Sequence, residues 1–363
     1  MGLARHIGVI RDTVMDGGPG FAQIAVTNDC NADCVFCNFA RSKMAASTYA
    51  DPGRLYGAVD TLYGKGVRYI AFVGGEPLLY RGLPDVIAYA KRLGVTPFLC
   101  TNGWLLGSDM VRRLHNAGLG NVIISIDAPD PDVHDKNRGL PGLTGRIKAA
   151  IKEMGALGMG ATASVTISRL VGDFGLLPPF LREMGFRDLT FSYPLRELHS
   201  SYLSYSDSGL VEYTPEELIA IFGQLKKLKR KFRILNPTAG MDEMIRFLKG
   251  EPALFPCLAG YKYFFLDWDL DVYRCHYDDV RICAVEDLGK AAPIRDDCSR
   301  CMIDCYRDPS VLQHFAVSIS DGITEIRGGR IMAGGRRIFN MGNLLSIKAV
   351  VEEFGLYRRH GEL

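Results

Sequence analysis

The distribution of its cysteines constrains this chain more than any other feature. Cys30, Cys34 and Cys37 lie within eight residues of one another, and six further cysteines begin at Cys257. Cys100 is the one cysteine that lies between these two groups. In a reducing compartment clustered cysteines are more often metal ligands or redox groups than disulfides. The pattern therefore predicts two metal centres.

Length and composition fit a globular protein with a sizeable core. The 363 residues correspond to about two domains, or to one large barrel with an appendage. The formal net charge of +2 gives no reason to expect nucleic acid or an anionic membrane as the main partner, although a local basic patch such as 226–233 is compatible with it. No apolar run approaches the roughly 18 residues of a membrane span, and Met1 to Gly20 has no signal-peptide core. We expect a cytoplasmic protein without a transmembrane segment.

Short β-rich runs alternate with amphipathic helical segments between Phe21 and about Tyr193. The runs cover 21–26, 67–73, 96–100, 121–126, 161–167 and 188–193, and the helical segments cover 52–63, 83–93, 110–117, 143–157 and 176–184. This alternation predicts a parallel sheet buried on both faces, either an open wound sheet or a partial barrel, with its chemistry at the C-terminal strand ends. Three regions follow from it: an N-terminal extension over 1–20, an α/β domain over 21–235 and a cysteine-rich domain over 236–363.

The first cysteine group has the spacing C-x3-C-x2-C and directly follows the first predicted strand. Three thiolates on one short loop can bind three irons of a 4Fe-4S cube and leave the fourth iron without a protein ligand. The alternatives are a three-ligand zinc site completed elsewhere and ordinary buried cysteines.

Placed after the first strand of a six-strand β/α repeat, this motif resembles that of the radical S-adenosylmethionine (radical SAM) superfamily. The resemblance covers about residues 21–195. It implies an α/β fold built as a partial (β/α)6 TIM barrel with a small cysteine-rich C-terminal domain. It also implies a 4Fe-4S cluster on Cys30, Cys34 and Cys37 that binds SAM, with Phe36 beside the adenine.

A second motif, Gly74-Gly75-Glu76-Pro77, ends the second predicted strand. Two glycines allow a cofactor to approach the backbone, and the carboxylate is expected to face the barrel mouth. The resemblance implies that this motif holds the methionine ammonium of SAM. The alternative is an ordinary strand-to-helix turn.

The next two strands end in polar residues, Thr101-Asn102 on the third and Ser125-Ile126-Asp127 on the fourth, followed by Arg138. The resemblance implies that Ser125 and Arg138 hold the ribose and carboxylate of SAM, with Asp127 nearby. A carboxylate suits the arginine donor fork, and a ribose diol suits Ser or Asp. The alternative is a capped helix start at 127–130 with solvent-facing charges, and His134 by itself would be a surface residue.

The second cysteine group follows Pro256 and includes a predicted hairpin, with strand residues 261–267 and a turn at 268–271. It resembles the twitch or SPASM extensions of the superfamily, but it has Leu270 where a glycine is expected and a shortened final spacing. The resemblance implies one auxiliary 4Fe-4S cluster, and a structural zinc site is the alternative. The favoured ligands are Cys257, Cys275, Cys298 and Cys301, with Cys305 or Cys283 as alternates.

The resemblance implies an enzyme that cleaves SAM reductively to a 5′-deoxyadenosyl radical, using an external one-electron donor such as flavodoxin or ferredoxin. We expect hydrogen abstraction from a small molecule and its oxidation, with the auxiliary cluster as electron acceptor. A small molecule is favoured over a peptide because no separate leader-binding domain is evident before residue 21. The alternatives are peptide modification and, because 298–306 resembles adenosylhopane synthase-like proteins, adenosyl addition to an alkene or lipid. An iron-sulfur electron carrier and a zinc-binding protein are the non-enzyme alternatives.

Four residues after the sixth predicted strand are candidate substrate contacts or else surface residues: Tyr193, Arg196, Glu197 and His199.

Overall fold

Ten strands form one open sheet in the computed structural model, which describes residues 15–43, 46–194 and 208–359. The strands are β1 (Gly20–Ala25), β2 (Val67–Val73), β3 (Thr96–Thr101), β4 (Asn121–Ile126), β5 (Gly160–Thr166), β6 (Asp188–Ser192), β7 (Arg233–Ile234), β8 (Tyr263–Leu266), β9 (Asp271–Tyr273) and β10 (Arg281–Ala284). Their order in the sheet is β10-β9-β8-β1-β2-β3-β4-β5-β6-β7. Strands β1 to β7 are parallel neighbours. The predicted partial barrel is confirmed, and its sheet does not close.

The helices that connect these strands lie close to the predicted bounds. Those of the barrel are α1 (Pro52–Gly64), α2 (Leu83–Arg92), α3 (Ser108–Asn116), α4 (Pro131–Arg138), α5 (Leu143–Ala156) and α6 (Leu177–Met184). They are followed by α7 (Pro215–Leu228), α8 (Thr238–Leu248), α9 (Asp304–Arg327), α10 (Ile331–Ile338) and α11 (Met341–Arg359). No helix within the described ranges is long and apolar enough to cross a bilayer.

Each barrel strand divides its side chains between two environments, as its two-residue period requires. On β4, Val122 and Ile124 are fully buried against the surrounding helices. Their neighbours Ile123 and Ser125 line a central cavity. Strands β5 and β6 follow the same rule and contribute hydroxyl groups to the cavity wall. The cavity is therefore built from alternate residues of consecutive strands.

The cysteine-rich region continues the barrel sheet. Strand β8 runs parallel to β1, in register from Phe21 opposite Tyr263 to Ile24 opposite Leu266. Strands β9 and β10 then add antiparallel pairs, which include the predicted hairpin. At the other edge, the backbone amide of Tyr193 donates to Asp304 Oδ1 at 3.2 Å, so that the start of α9 meets the end of β6.

Candidate functional site

A cavity of about 500 Å³ lies at the C-terminal ends of the barrel strands. Its lining includes Cys30, Cys34 and Cys37 from the first cysteine loop and Asp304, Cys305 and Asp308 from α9. Cavities of this size are typical of small-molecule and cofactor sites. Its position is the one that parallel α/β folds use for chemistry.

The first cysteine loop is held in a conformation that directs backbone amides at its sulfurs. The amide of Ala32 donates to Cys30 Sγ, and the amide of Phe39 donates to Cys37 Sγ, both at 3.4 Å. Hydrogen bonds of this kind stabilise cluster-bound thiolates and tune their potential. Burial raises the pKa of both Cys30 and Cys34 to about 12. Binding of a cluster would therefore displace their protons.

Helix α4 fixes this loop from the other side. The amide of Asp33 donates to the carbonyl of Arg138 at 2.8 Å, and the amide of Val35 donates to Asn137 Oδ1 at 3.4 Å. The helix ends at Gly139, whose φ of +61° is a left-handed conformation that glycine adopts without strain. A Cβ at Gly139 would also approach Asp33 Cβ to 3.2 Å. The C-terminus of α4 and the cysteine loop therefore form one unit.

Gly74 and Gly75 are required by the protein's own backbone. A Cβ at Gly74 would lie 2.3 Å from the carbonyl oxygen of Thr27, and one at Gly75 would lie 2.1 Å from that of Asp29. No side chain fits at either position. Both glycines also line the cavity, so their close approach to β1 leaves their other side open to a ligand.

Glu76 differs from its expected place at the barrel mouth because it is completely buried. Its Oε1 accepts from Thr101 Oγ1 at 2.7 Å and from the amide of Leu78 at 3.0 Å, while Oε2 accepts from the amide of Asn102 at 2.8 Å. Burial raises its pKa, and these hydrogen bonds oppose the shift. Thr101 and Asn102 line the cavity, and Glu76 holds them in position.

Asp127 and Arg138 form a buried ion pair behind the cysteine loop. Asp127 also accepts from Asn137 Nδ2 at 2.8 Å. Burial is the largest single effect and would raise the pKa of Asp127, but the Arg138 guanidinium and His134 together hold it well below its usual range. The charges are therefore paired with each other and are not solvent-facing, and the N-cap of α4 is Asp130. Arg138 still lines the cavity, beside Ser125 and Phe36.

His134 was expected at the surface and is instead fully buried. Its Nδ1 accepts the backbone amide of Asp127 at 3.2 Å. Because it faces inward from α4, it fixes the end of β4 against that helix.

Four cysteines of the second group lie near one another. Cys301 interacts electrostatically with Cys275, Cys257 and Cys298, and the amide of Cys257 donates to the carbonyl of Cys298 at 2.8 Å. Burial raises the pKa of Cys275 to about 11, while the amides of Asp278 and Tyr277 lower it. These are the four cysteines favoured from sequence.

The two alternates lie in different environments. Cys305 interacts with Cys275 and Cys301 but also with Cys100, and both Cys305 and Cys100 line the cavity. Cys283 lies on β10, where its charged neighbours are Asp287, Arg281 and Lys65. Of the two, Cys305 is the better placed as a ligand.

The hairpin turn preserves the geometry of the glycine that the sequence lacks. Leu270 has a φ of +61°, a left-handed conformation that costs a non-glycine residue energy. Its side chain is completely buried, which offsets that cost through apolar burial.

Within the described ranges no three His, Cys, Asp or Glu side chains converge closely enough to hold a single metal ion.

Sequence reasoning missed the two carboxyls on α9. Asp308 accepts from Asn236 Nδ2 at 2.7 Å and from the Tyr193 hydroxyl at 3.3 Å. Burial, with the neighbouring Asp304, raises the pKa of Asp308 to about 8. Burial likewise raises the pKa of Asp304 to about 7. Their four-residue spacing on one helix, beside Cys305, was the available signal.

Two further cavity residues were also missed. Gln23 lies on β1 and is 8% exposed, and its Oε1 has no hydrogen-bond partner among the described residues. His276 follows Cys275 and lines the cavity, and burial lowers its pKa to about 3. Its imidazole is therefore neutral.

Of the predicted substrate contacts, Tyr193 lines the cavity, whereas Arg196, Glu197 and His199 lie outside the described residues.

The donor sets fit iron-sulfur clusters. The first group offers three thiols that line the cavity, two of which accept backbone N–H···S hydrogen bonds, and the second offers Cys301 with three neighbouring thiols. Thiolate sets of three and four are the ligands that 4Fe-4S cubes require.

Comparisons with known proteins identify the kind of domain that carries this site. Residues 24–175 match the family model of the radical SAM superfamily. An AdoMet-dependent heme synthase of Oleidesulfovibrio alaskensis is 31% identical over 177 residues, which cover 46% of this chain and 44% of that protein. A PqqA peptide cyclase of Xanthomonas axonopodis is 24% identical over 70% of this chain and 67% of its own length.

A solved structure titled native anSMEcpe with bound AdoMet shares the fold. It superposes with a TM-score of 0.59 at 15% identity, covering 94% of this chain and 99% of that one. The chain spans less than half the length of the heme synthase relative.

Fold and site together define a partial TIM barrel with an open three-cysteine loop at the C-terminal ends of its strands. With the family match, they identify residues 24–175 as a radical SAM domain. Radical SAM domains use a 4Fe-4S cluster and SAM.

Proposed function

We propose that this chain is a radical SAM enzyme that oxidises a small molecule after abstracting a hydrogen atom from it. One observation carries the proposal: the three-cysteine loop and Asp308 line the same cavity. When bound, a cluster on Cys30, Cys34 and Cys37 supplies the electron that splits SAM into methionine and a 5′-deoxyadenosyl radical, and an auxiliary cluster supplies an electron acceptor.

The chain's own residues would bind the substrate and accept its proton. Inward-facing hydroxyls on β4 to β6 can orient a polar substrate by hydrogen bonds; they are Ser125, Ser164, Thr166, Thr190 and Ser192. Loss of a hydrogen atom from an alcohol carbon, followed by loss of the hydroxyl proton and one electron, gives a carbonyl. Asp308 is suited to take the proton because its pKa, raised by burial to about 8, is near the operating pH of a general base.

Peptide modification is the second candidate. It is favoured by the PqqA peptide cyclase relative, whose match extends over 70% of this chain and so beyond the radical SAM domain. The cavity of about 500 Å³ would then hold one side chain of the peptide. Either reaction needs an external one-electron donor such as flavodoxin or ferredoxin, and a reducing cytoplasm that keeps the thiols free.

Ribose-labelled SAM distinguishes oxidation from adenosyl transfer. Reconstituted protein is incubated anaerobically with a reductant and a small-molecule extract, and labelled products are followed by mass spectrometry. Oxidation predicts free labelled 5′-deoxyadenosine in one-to-one ratio with an oxidised product. Label retained in the product would overturn the oxidation proposal in favour of adenosylation. If the product has the mass of a modified peptide, peptide modification, the second candidate, replaces the oxidation of a small molecule as the proposed reaction.

A further inference from the structure

The segment 326–351 combines positive charge with exposed apolar side chains. Five basic residues and no acidic residue lie within it: Arg327, Arg330, Arg336, Arg337 and Lys348. The chain as a whole is nearly balanced, with 43 basic and 41 acidic residues. Of 17 large hydrophobic residues exposed in the described ranges, eight lie in this segment. We call this segment, which contains α10 and most of α11, the basic hairpin.

The exposed apolar residues form a stripe on α11. Met341, Leu344, Ile347 and Val351 recur at helical spacing and are exposed, as expected for one face of a helix. The opposite face contains Asn343, Ser346 and Ala349, which are 2% exposed or less. The inner side of helix α11 is therefore packed against the protein, and its outer side is apolar and exposed.

The connection between α10 and α11 is also apolar and exposed. Phe339 is 85% exposed, and Met332 on α10 is 76% exposed. Monomeric proteins expose single hydrophobic residues routinely, but contiguous exposed apolar patches mark interaction surfaces.

The hairpin is fixed to the protein by specific contacts. Asn343 Nδ2 donates to the carbonyls of Arg337 at 2.9 Å and Ile338 at 2.7 Å. A Cβ at Gly334 would lie 2.5 Å from the carbonyl oxygen of Gly322, so α10 and α9 pack backbone to backbone. The exposure of the outer face is therefore a property of a defined structure.

Charge decides which occupant suits this surface. A second copy would bring one acid-free basic segment against another, which like-charge repulsion disfavours. A bilayer with anionic headgroups attracts Arg and Lys and accepts aromatic and aliphatic side chains at its interface. Arg336 and Lys348 are exposed on stems long enough to reach headgroups while apolar neighbours enter the acyl boundary.

We propose that the basic hairpin docks this protein on an anionic lipid surface. Arg330 and Arg337 also form ion pairs with Glu325 and Asp321, in which the arginine side chains are exposed and so accessible to lipid phosphates. The proposal is independent of the reaction proposed above, since it uses no residue of the cavity.

Vesicle cosedimentation tests the proposal directly. The full reconstituted chain is mixed with vesicles of phosphatidylcholine alone or with a third of phosphatidylglycerol. It should sediment only with the anionic vesicles, and high salt should release it. Phe339→Ser with Leu344→Ser, and separately Arg336→Gln with Lys348→Gln, should each lower the partition coefficient about tenfold.

Matched controls come from exposed residues elsewhere. Leu176→Ser, at a residue 54% exposed outside the hairpin, and Lys152→Gln on α5 should bind vesicles as the wild type does. Reductive SAM cleavage in solution should be the same in all variants, which separates this proposal from the proposed function. Equal binding to both vesicle types, or unchanged binding by the hairpin variants, would overturn it. So would a concentration-dependent dimer without vesicle binding, which would assign the surface to a second copy, or capture of an acidic protein without lipid binding.

Discussion

Arg138 binds Asp127 through two parallel hydrogen bonds, from Nε to Oδ2 at 2.7 Å and from Nη2 to Oδ1 at 2.6 Å. This pair joins the end of β4 to the end of α4. The carbonyl of the same arginine accepts the amide of Asp33 in the cysteine loop. The pair therefore connects the strand end that faces the cavity with the loop that would hold the cluster.

Asp127→Asn should destabilise the protein because it leaves the Arg138 charge buried without its partner. We expect a loss of about 3 kcal/mol or more in the free energy of unfolding, measured by urea denaturation. Glu183→Gln, which breaks the exposed pair with Lys148, is the control and should cost less than about 1 kcal/mol. An equal loss in both variants would contradict the assigned role.

The same variant has a predicted pH dependence. The pKa of Asp127 is held below its usual range, so its stabilising contribution is complete above about pH 4 and disappears as the pH falls further. The difference in unfolding free energy between wild type and Asp127→Asn should therefore shrink only in acid. A difference that shrinks between about pH 8 and about pH 5 would contradict this.

Glu76→Gln should weaken SAM binding by about 1–3 kcal/mol, the cost of leaving a buried hydrogen-bonding group without its partner. The reason is indirect, because a glutamine amide must turn a donor toward Thr101, Leu78 or Asn102 and so displace the cavity wall. Equilibrium dialysis on the reconstituted variant measures the effect, with Glu183→Gln, whose side chain is 76% exposed, as control. If the variant folds, keeps its clusters and binds SAM with unchanged affinity, Gly74–Pro77 is an ordinary strand-to-helix turn and not part of a SAM site.

The reconstituted protein should contain about eight irons, as two 4Fe-4S cubes require. Replacing Cys30, Cys34 and Cys37 with Ala should leave about four, and Cys275→Ala should remove the other four. Cys283→Ala is the control and should keep all of them, because Cys283 lies among Asp287, Arg281 and Lys65. Stoichiometric zinc, or about four irons in the wild type, would defeat the assignment of two clusters.

Asp308→Asn should change two properties: the pH dependence of stability, and the amount of oxidised product made for each 5′-deoxyadenosine. Because burial raises the pKa of Asp308 to about 8, its contribution to stability is complete below about pH 4 and is lost as the pH rises through 8. The variant should show a flatter fall in unfolding free energy over that window. It should also still form 5′-deoxyadenosine while making less oxidised product. Full product yield would remove Asp308 as the proton acceptor.

The strands and barrel helices could be predicted because their signal is local. On β4, for example, alternation between Val122, Ile123, Ile124 and Ser125 specifies both the strand and the side chains that face inward. The cysteines of the second group were also recognisable from their spacing. These features depend on neighbours within a few residues or on recurring motifs.

The positions of Glu76 and Asp308 depend on long-range packing and were not predicted. Glu76 is buried because Thr101 and Asn102, on a different strand, supply its donors. Asp308 reaches the cavity because α9 packs against β6 and Asn236. Net charge likewise conceals the basic hairpin, since acidic residues elsewhere balance it.

The most direct test of the central claim is the reductive cleavage of SAM. Anaerobically reconstituted protein is given SAM and dithionite, and methionine and 5′-deoxyadenosine are measured by chromatography. The wild type should form both in equal amounts, and the variant lacking Cys30, Cys34 and Cys37 should form neither, although it keeps its auxiliary iron. No 5′-deoxyadenosine from iron-loaded wild type, or equal amounts from the variant, would contradict the assignment of a radical SAM activity to this chain.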